Sequence, residues 1–171
     1  SIVQSIESIP VGKLSEIGMD IEILVVDGGS SDRTTEIAKS AGAKVITSGR
    51  GYGRQYRTGF ELAVGEIIVT ADSDYSYPME QMPELINILL KDDLDFISTN
   101  RFAFMKKDSM APMNRFGNRV LTLFTNILFG YGLKDSQSGM WGFRKSILKG
   151  LNLKGDGMSL SPDVAGGKRE G

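Results

Sequence analysis

Glu66-Ile67-Ile68-Val69-Thr70-Ala71-Asp72-Ser73-Asp74 decides how this chain is read. Gly65 interrupts whatever precedes it, a short apolar run follows, and two carboxylates close the stretch in an Asp-x-Asp arrangement. A short apolar run between a glycine and a polar cluster reads as a buried strand. In an extended segment residues i and i+2 lie on one side, so Asp72 and Asp74 are expected to project together where the strand ends. Two hard oxygen ligands that close suit Mg²⁺ or Mn²⁺, whose other partner is often a substrate diphosphate. A bare Asp-x-Asp is equally the appearance of a solvated acidic turn, so the flanking sequence has to separate the two.

On the N-terminal side, Ile2, Val3, Ile6 and Ile9 recur at helical spacing before Pro10. Residues 21–26 form a β-branched run that ends in Asp27-Gly28-Gly29-Ser30-Ser31-Asp32, a strand followed by a tight turn. Ser30, Ser31 or Asp32 can cap the next helix, expected over residues 33–40. Gly42 closes it, and residues 44–47 read as a second strand. The stretch Gly49-Arg50-Gly51-Tyr52-Gly53-Arg54-Gln55-Tyr56-Arg57 lacks both the spacing of the dinucleotide fingerprint and the Gly-Lys-Ser/Thr of a P-loop. Its arginines, entering a helix to about residue 64, either meet a phosphate or are solvated on a helix face.

On the C-terminal side, Met79, Met82, Leu85, Ile86, Leu89 and Leu90 give an amphipathic helix whose stripe is core packing. Residues 95–99 read as a further strand, ending at Asn100-Arg101. Strands alternating with helices at this spacing imply an α/β domain with a doubly wound, mostly parallel sheet flanked by helices. Ligands in such sheets bind beyond the carboxyl ends of the strands, where Asp27, Asp72, Asp74 and Arg101 all fall. Beyond a loop carrying Lys106 and Lys107, a helix is expected over residues 114–129. Phe116, Val120, Leu123, Phe124, Ile127 and Leu128 form its apolar face, and Arg115, Asn118, Arg119, Thr122 and Asn126 its polar one. The polar loop Asp135-Ser136-Gln137-Ser138-Gly139 then leads into Trp141, the only tryptophan, read as a packing anchor.

Composition narrows the chemistry. The 171 residues suffice for one domain with a proper core, and the net charge of −1 gives no electrostatic case for nucleic acid. There is no cysteine, which removes disulfides and thiolate sites, and no histidine, which removes a histidine base, a serine–histidine triad and histidine-ligated zinc. Chemistry must rest on Asp/Glu, Lys/Arg, Tyr, Ser/Thr and a borrowed metal. The longest apolar run, residues 121–129, is far short of a membrane span.

Taken together, the stretches 25–34, 51–59, 72–78, 114–119 and 135–139 resemble, in order, the family-2 glycosyltransferases, inverting enzymes of the GT-A fold. The resemblance covers about residues 21–148 and is nearest to the dolichyl- or polyprenyl-phosphate mannose or glucose synthase branch. It implies metal-dependent transfer of a hexose from a nucleoside-diphosphate sugar, GDP- or UDP-linked, to a polyprenyl or dolichyl phosphate. Donor binding then falls to Asp27, Gly51, Arg54, Asp72 and Asp74, with Mg²⁺ or Mn²⁺ on Asp74 and Asp72. Acceptor binding falls to Arg101, Arg115, Asn118, Arg119, Ser138 and Gly139. Asp135 is the acid of the acceptor-side loop and the catalytic candidate, a general base if the acceptor is a sugar hydroxyl. A lipid phosphate is already an anionic nucleophile and needs cations rather than a base. The arginines of the acceptor side favour the lipid phosphate. An apolar helix next to the basic loop of Lys106 and Lys107 would also let the domain dock on a membrane surface, expected to be peripheral on the cytoplasmic face.

Departures from the family's pattern accompany the resemblance. Gly28 stands where the family often has a second acid that contacts the base, and Ser76 where some lipid-phosphate synthases have a glutamine. The family's first strand has no counterpart ahead of Ser1, and only residues 162–167 separate Ser161 from Lys168-Arg169. Residues 1–171 are therefore expected to be a single catalytic domain lacking its first strand and part of its C-terminal region. Transfer to a sugar hydroxyl in polysaccharide or glycolipid synthesis is the alternative reaction. A nucleotidyltransferase, or a non-catalytic nucleotide-binding module, are the alternatives of another class.

Overall fold

The structure is a computed structural model that describes residues 1–98 and 140–150. The chain opens with two short helices, α1 (Ile2–Glu7) and α2 (Val11–Glu16), joined at Pro10. Strand β1 (Leu24–Asp27) is followed by α3 (Thr34–Ser40) and β2 (Lys44–Thr47). Helix α4 (Tyr52–Leu62) leads to β3 (Ile67–Val69). A 3-10 turn (Met79–Gln81) runs into α5 (Met82–Lys91), and β4 (Phe96–Ser98) closes the first stretch. Strand β5 (Trp141–Arg144) and a 3-10 segment (Lys145–Gly150) form the second.

Strands β1 and β2 pair in parallel, Leu24 opposite Lys44 through Asp27 opposite Thr47. That is the geometry a strand–helix–strand crossover through α3 produces. The second ladder is different. β5 lies between β3 and β4 and runs antiparallel to both, with Phe143 opposite Ile68 on one side and Phe96 on the other. The expected α/β architecture with parallel pairing is present, but the ladders around β5 are antiparallel. Strand β5 itself was not foreseen, because four residues containing a glycine carry too short an alternation to read.

Alternation along β5 nonetheless builds the core. Trp141 and Phe143 fall on one face with Phe60 of α4 and Ile68, all buried. Met140 falls on the other face, in a cluster with Leu14, Tyr77, Met79, Met82, Leu85 and Ile86. Gly142, between the two, is required by close approach. A Cβ there would stand 2.2 Å from Leu85 Cδ2 and 3.2 Å from Ile97 Cγ2. The stripe of α5 is core as expected, except that Leu90 is exposed. A third cluster, Ile6 with Ala38 and Ala43, packs α1 against α3 beside β1 and β2.

Helix α4 is tied to β1 at both ends. The Glu22 carboxylate accepts from the Val64 N–H at 3.0 Å just beyond the helix, and the Gln55 side-chain amide donates to the Val26 carbonyl at 3.2 Å. The first turns of α4 therefore sit at the carboxyl end of β1, which is where the candidate site begins.

Candidate active site

The β1 end of the site is a self-contained acidic corner. Asp27, 6% exposed, accepts through Oδ2 from the backbone N–H groups of Gly29 (2.8 Å) and Ser30 (2.9 Å), and through Oδ1 from the Ser30 hydroxyl. Gly29 adopts φ +96°, a conformation that glycine reaches without a Cβ penalty. The Ser30 hydroxyl and N–H, then the Gly29 N–H, hold the Asp27 carboxyl below its ordinary value despite burial. Asp32 accepts from the Thr34 N–H at 3.0 Å, an Asx turn that leads into α3, whose N-cap position is taken by Arg33 rather than by Ser30, Ser31 or Asp32. Gly28 faces Gln55: a Cβ would lie 3.0 Å from its Nε2. The Gln55 amide thus fills the space that a second acid would enter.

The β3 end is an exposed turn. The Thr70 N–H donates to the Trp141 carbonyl (2.8 Å) and the Trp141 N–H to Thr70 Oγ1 (3.1 Å), which carries the β3–β5 contact one residue past the strand. There the extended geometry stops, so the i, i+2 argument does not place the two aspartates. Asp72 is half-buried and accepts from the Tyr56 hydroxyl at 3.2 Å. Asp74 is exposed and accepts from the Ser76 N–H at 2.9 Å, an Asx turn. Between them the Ser73 carbonyl accepts from the buried Ser5 hydroxyl of α1 at 3.1 Å. Tyr75 follows at φ +64°, a left-handed conformation uncommon outside glycine and short polar residues.

Helix α4 joins the two ends, since consecutive residues Gln55 and Tyr56 reach the β1 carbonyl edge and Asp72 respectively. Tyr56 is wedged among Tyr52 (ring centroids 4.6 Å), Trp141 (5.2 Å) and Phe60 (5.8 Å). Burial, then the neighbouring Asp72 carboxylate, push its phenol well above the ordinary tyrosine value, so it acts as a proton-bearing donor. Gly51, at φ +133°, caps the helix start. Arg54 is exposed on the first turn and folds back over Gly49, where a Cβ would meet its Nη1 at 2.5 Å.

Of the residues expected to form the site, Asp27, Gly51, Arg54, Asp72 and Asp74 are described. Asp27 and Asp72 come to the strand ends bridged by α4. Arg101, Arg115, Asn118, Arg119, Asp135, Ser138 and Gly139 lie outside the described residues. Ser5, Gln55 and Tyr56 were missed. The aromatic spacing Tyr52, Tyr56, Phe60, one turn apart on α4, was the available signal for Tyr56. Among the described residues no group of three carboxylates or other metal-ligating side chains converges. The donor set is Asp72 and Asp74, two hard oxygens on an open turn. That fits Mg²⁺ or Mn²⁺, which use one or two carboxylates and take their other ligands from water and substrate phosphates.

The glycosyl transferase family 2 profile matches residues 2–151, nearly the whole chain. The chain belongs to glycosyl transferase family 2. Among relatives in Haloferax volcanii, it is 35% identical over 146 residues to the low-salt glycan biosynthesis hexosyltransferase Agl6, covering 84% of this chain and 35% of Agl6. It is 34% identical over 128 residues to a dolichyl-phosphate hexose transferase, covering 74% of this chain and 55% of that protein. The chain thus spans about a third to a half of the length of these curated relatives. Among solved structures it matches Mycobacterium tuberculosis glucosyl-3-phosphoglycerate synthase in complex with Mn²⁺, UDP-glucose and phosphoglyceric acid. The TM-score is 0.70 at 22% identity, over 94% of this chain and 57% of that one. At that identity the likeness establishes the GT-A fold. The expectations of family and fold class both hold.

Proposed function

We propose that this family-2 domain transfers a hexose from a nucleoside-diphosphate sugar to a polyprenyl or dolichyl phosphate, with inversion at the anomeric carbon. The observation that carries the donor half is the Asp72–Asp74 turn, set beyond β3 and linked through Tyr56 and Gln55 of α4 to the Asp27 corner. The relatives' names support the acceptor half: one is a dolichyl-phosphate hexose transferase, and another, 26% identical, is an undecaprenyl-phosphate 4-deoxy-4-formamido-L-arabinose transferase of Pectobacterium carotovorum.

In this reading Asp74 and Asp72 hold Mg²⁺ or Mn²⁺, and the ion when bound supplies positive charge beside the leaving diphosphate. Arg54, on the first turn of α4, adds a guanidinium for the same phosphates, next to the helix N-terminus that Gly51 opens. Asp27 shapes the nucleotide-side turn rather than moving a proton, since its oxygens already accept from Gly29 and Ser30. With Gly28 bare, the Gln55 amide lies where a base-contacting acid would begin. On the acceptor side, Arg101, Arg115, Asn118 and Arg119, with Ser138 and Gly139, orient the acceptor phosphate. The phosphate oxygen forms the new bond to the anomeric carbon as the bond to the diphosphate breaks. No proton has to be removed from a phosphate dianion, and Asp135 then organises the acceptor loop; for a hydroxyl acceptor Asp135 takes the proton. A lipid acceptor places the domain peripherally at a membrane, on its cytoplasmic face. Among the described residues no helix is long and apolar enough to cross one.

The test is a matrix of UDP- and GDP-hexoses against polyprenyl phosphate and sugar-hydroxyl acceptors, with Mn²⁺ or Mg²⁺. The reading expects lipid-linked hexose from one donor class. Product on hydroxyl acceptors alone would replace the acceptor half and keep the donor half.

A further inference from the structure

We propose that Tyr56 is a positioning residue that fixes the orientation of the Asp72 carboxylate for the metal–nucleotide complex. The inference rests on the donor-site reading above and deepens it. Three observations converge. The Tyr56 hydroxyl donates to Asp72 Oδ1 at 3.2 Å. Its ring is held by Tyr52, Phe60 and Trp141 at centroid distances of 4.6, 5.8 and 5.2 Å, so the hydroxyl has little freedom to follow a moving carboxylate. Trp141 is itself anchored, 2% exposed and bonded both ways to Thr70, two residues before Asp72.

A ring needed only for packing at this α4 position would serve as well as phenylalanine, as Phe60 does one turn on. The phenol is the part that packing does not explain. Tyrosine hydroxyls away from solvent take partners, and this one, hydrogen-bonded with Tyr52 as well, donates to a carboxylate of the Asp-x-Asp turn. The turn lies beyond the end of β3, so no strand geometry fixes the Asp72 carboxylate, and the Tyr56 hydroxyl is a side-chain contact that orients it. A carboxylate fixed before ligand arrives loses less freedom on coordination, and residues that hold metal ligands in this way change affinity by roughly ten- to a hundredfold when removed.

The arrangement supplies its own readout, because the ring packed at a tilt beside Tyr56 is the only tryptophan in the chain. Mn²⁺, alone and then with UDP or GDP, is titrated into the full chain while Trp141 emission and heat are recorded. The same is done for Tyr56→Phe, Asp72→Asn, the double variant and Asp74→Ala. The expected result is saturable binding by the natural chain and about tenfold weaker binding by Tyr56→Phe. Its melting temperature should fall by less than about 3 °C, since the ring packing is kept. The double variant should bind no worse than Asp72→Asn alone, because the hydroxyl acts through that carboxylate. Unchanged binding by Tyr56→Phe, or a loss that adds to that of Asp72→Asn, overturns the positioning role and leaves the donor site intact. Binding by neither the natural chain nor Asp74→Ala overturns the donor-site reading and this role with it.

Discussion

The hydroxyl of Ser5, on the first helix, donates to the carbonyl of Ser73, 3.1 Å away and 68 residues later in the chain. Ser73 is the middle residue of Asp72-Ser73-Asp74, so the N-terminal helix holds the Asp-x-Asp turn by its backbone. Ser5 is buried, and its removal leaves that carbonyl without this donor. Ser5→Ala should cost about 1 kcal/mol of stability. It should also weaken Mn²⁺–nucleotide binding, whereas Ser8→Ala, at the C-cap of that helix, should leave that binding unchanged. Urea denaturation paired with calorimetry checks both.

Gly142 is a point of close approach in the core. A methyl group there would run into Leu85 Cδ2, so Gly142→Ala should destabilise by about 1–3 kcal/mol through overpacking. Leu85→Ala vacates the same space. The double variant should therefore be more stable than the sum of the single losses implies, a coupling that denaturant midpoints measure directly.

The Asp27 corner predicts an acid limb. Its carboxyl is held below the ordinary value of 3.8, first by the Ser30 hydroxyl, so its contribution is complete above that value. The contribution is lost as pH falls through the lower folded value, because protonation is then harder in the folded than in the unfolded chain. Asp27→Asn should cost about 1.5 kcal/mol near neutrality and flatten the decline of stability below pH 4. Ser30→Ala should move that decline to higher pH. Unfolding curves between about pH 2 and pH 6 separate these outcomes.

Much of this was legible in the sequence where a local pattern meets a local requirement. The run before Asp27 became β1, residues 44–47 became β2, and the Met79–Leu89 stripe went into the core. Asp32 bonded the Thr34 N–H at the start of α3 because an acid two residues before can reach it, although Arg33 holds the N-cap position. What was not legible depends on partners distant in the chain. Strand β5 exists because β3 and β4 flank it, and no alternation within Trp141–Arg144 announces that. The two aspartates were expected to share a strand face, yet β3 ends at Val69, and the turn is held by Ser5, Tyr56 and Ser76 instead. Gly28 was read as a missing acid. Its neighbour Gln55, which fills the space, lies 27 positions on (55 − 28), beyond any local spacing rule.

The proposed reaction joins donor chemistry at Asp74 to a lipid-phosphate acceptor. The most direct test incubates the chain with Mn²⁺, labelled UDP- or GDP-hexose and polyprenyl phosphate, then determines the anomeric configuration of the lipid-linked product. Hexose of inverted configuration on the lipid, with turnover lowered at least about a hundredfold in Asp74→Ala, is the predicted result. Product formed equally well by Asp74→Ala, or with the donor's configuration retained, would contradict it.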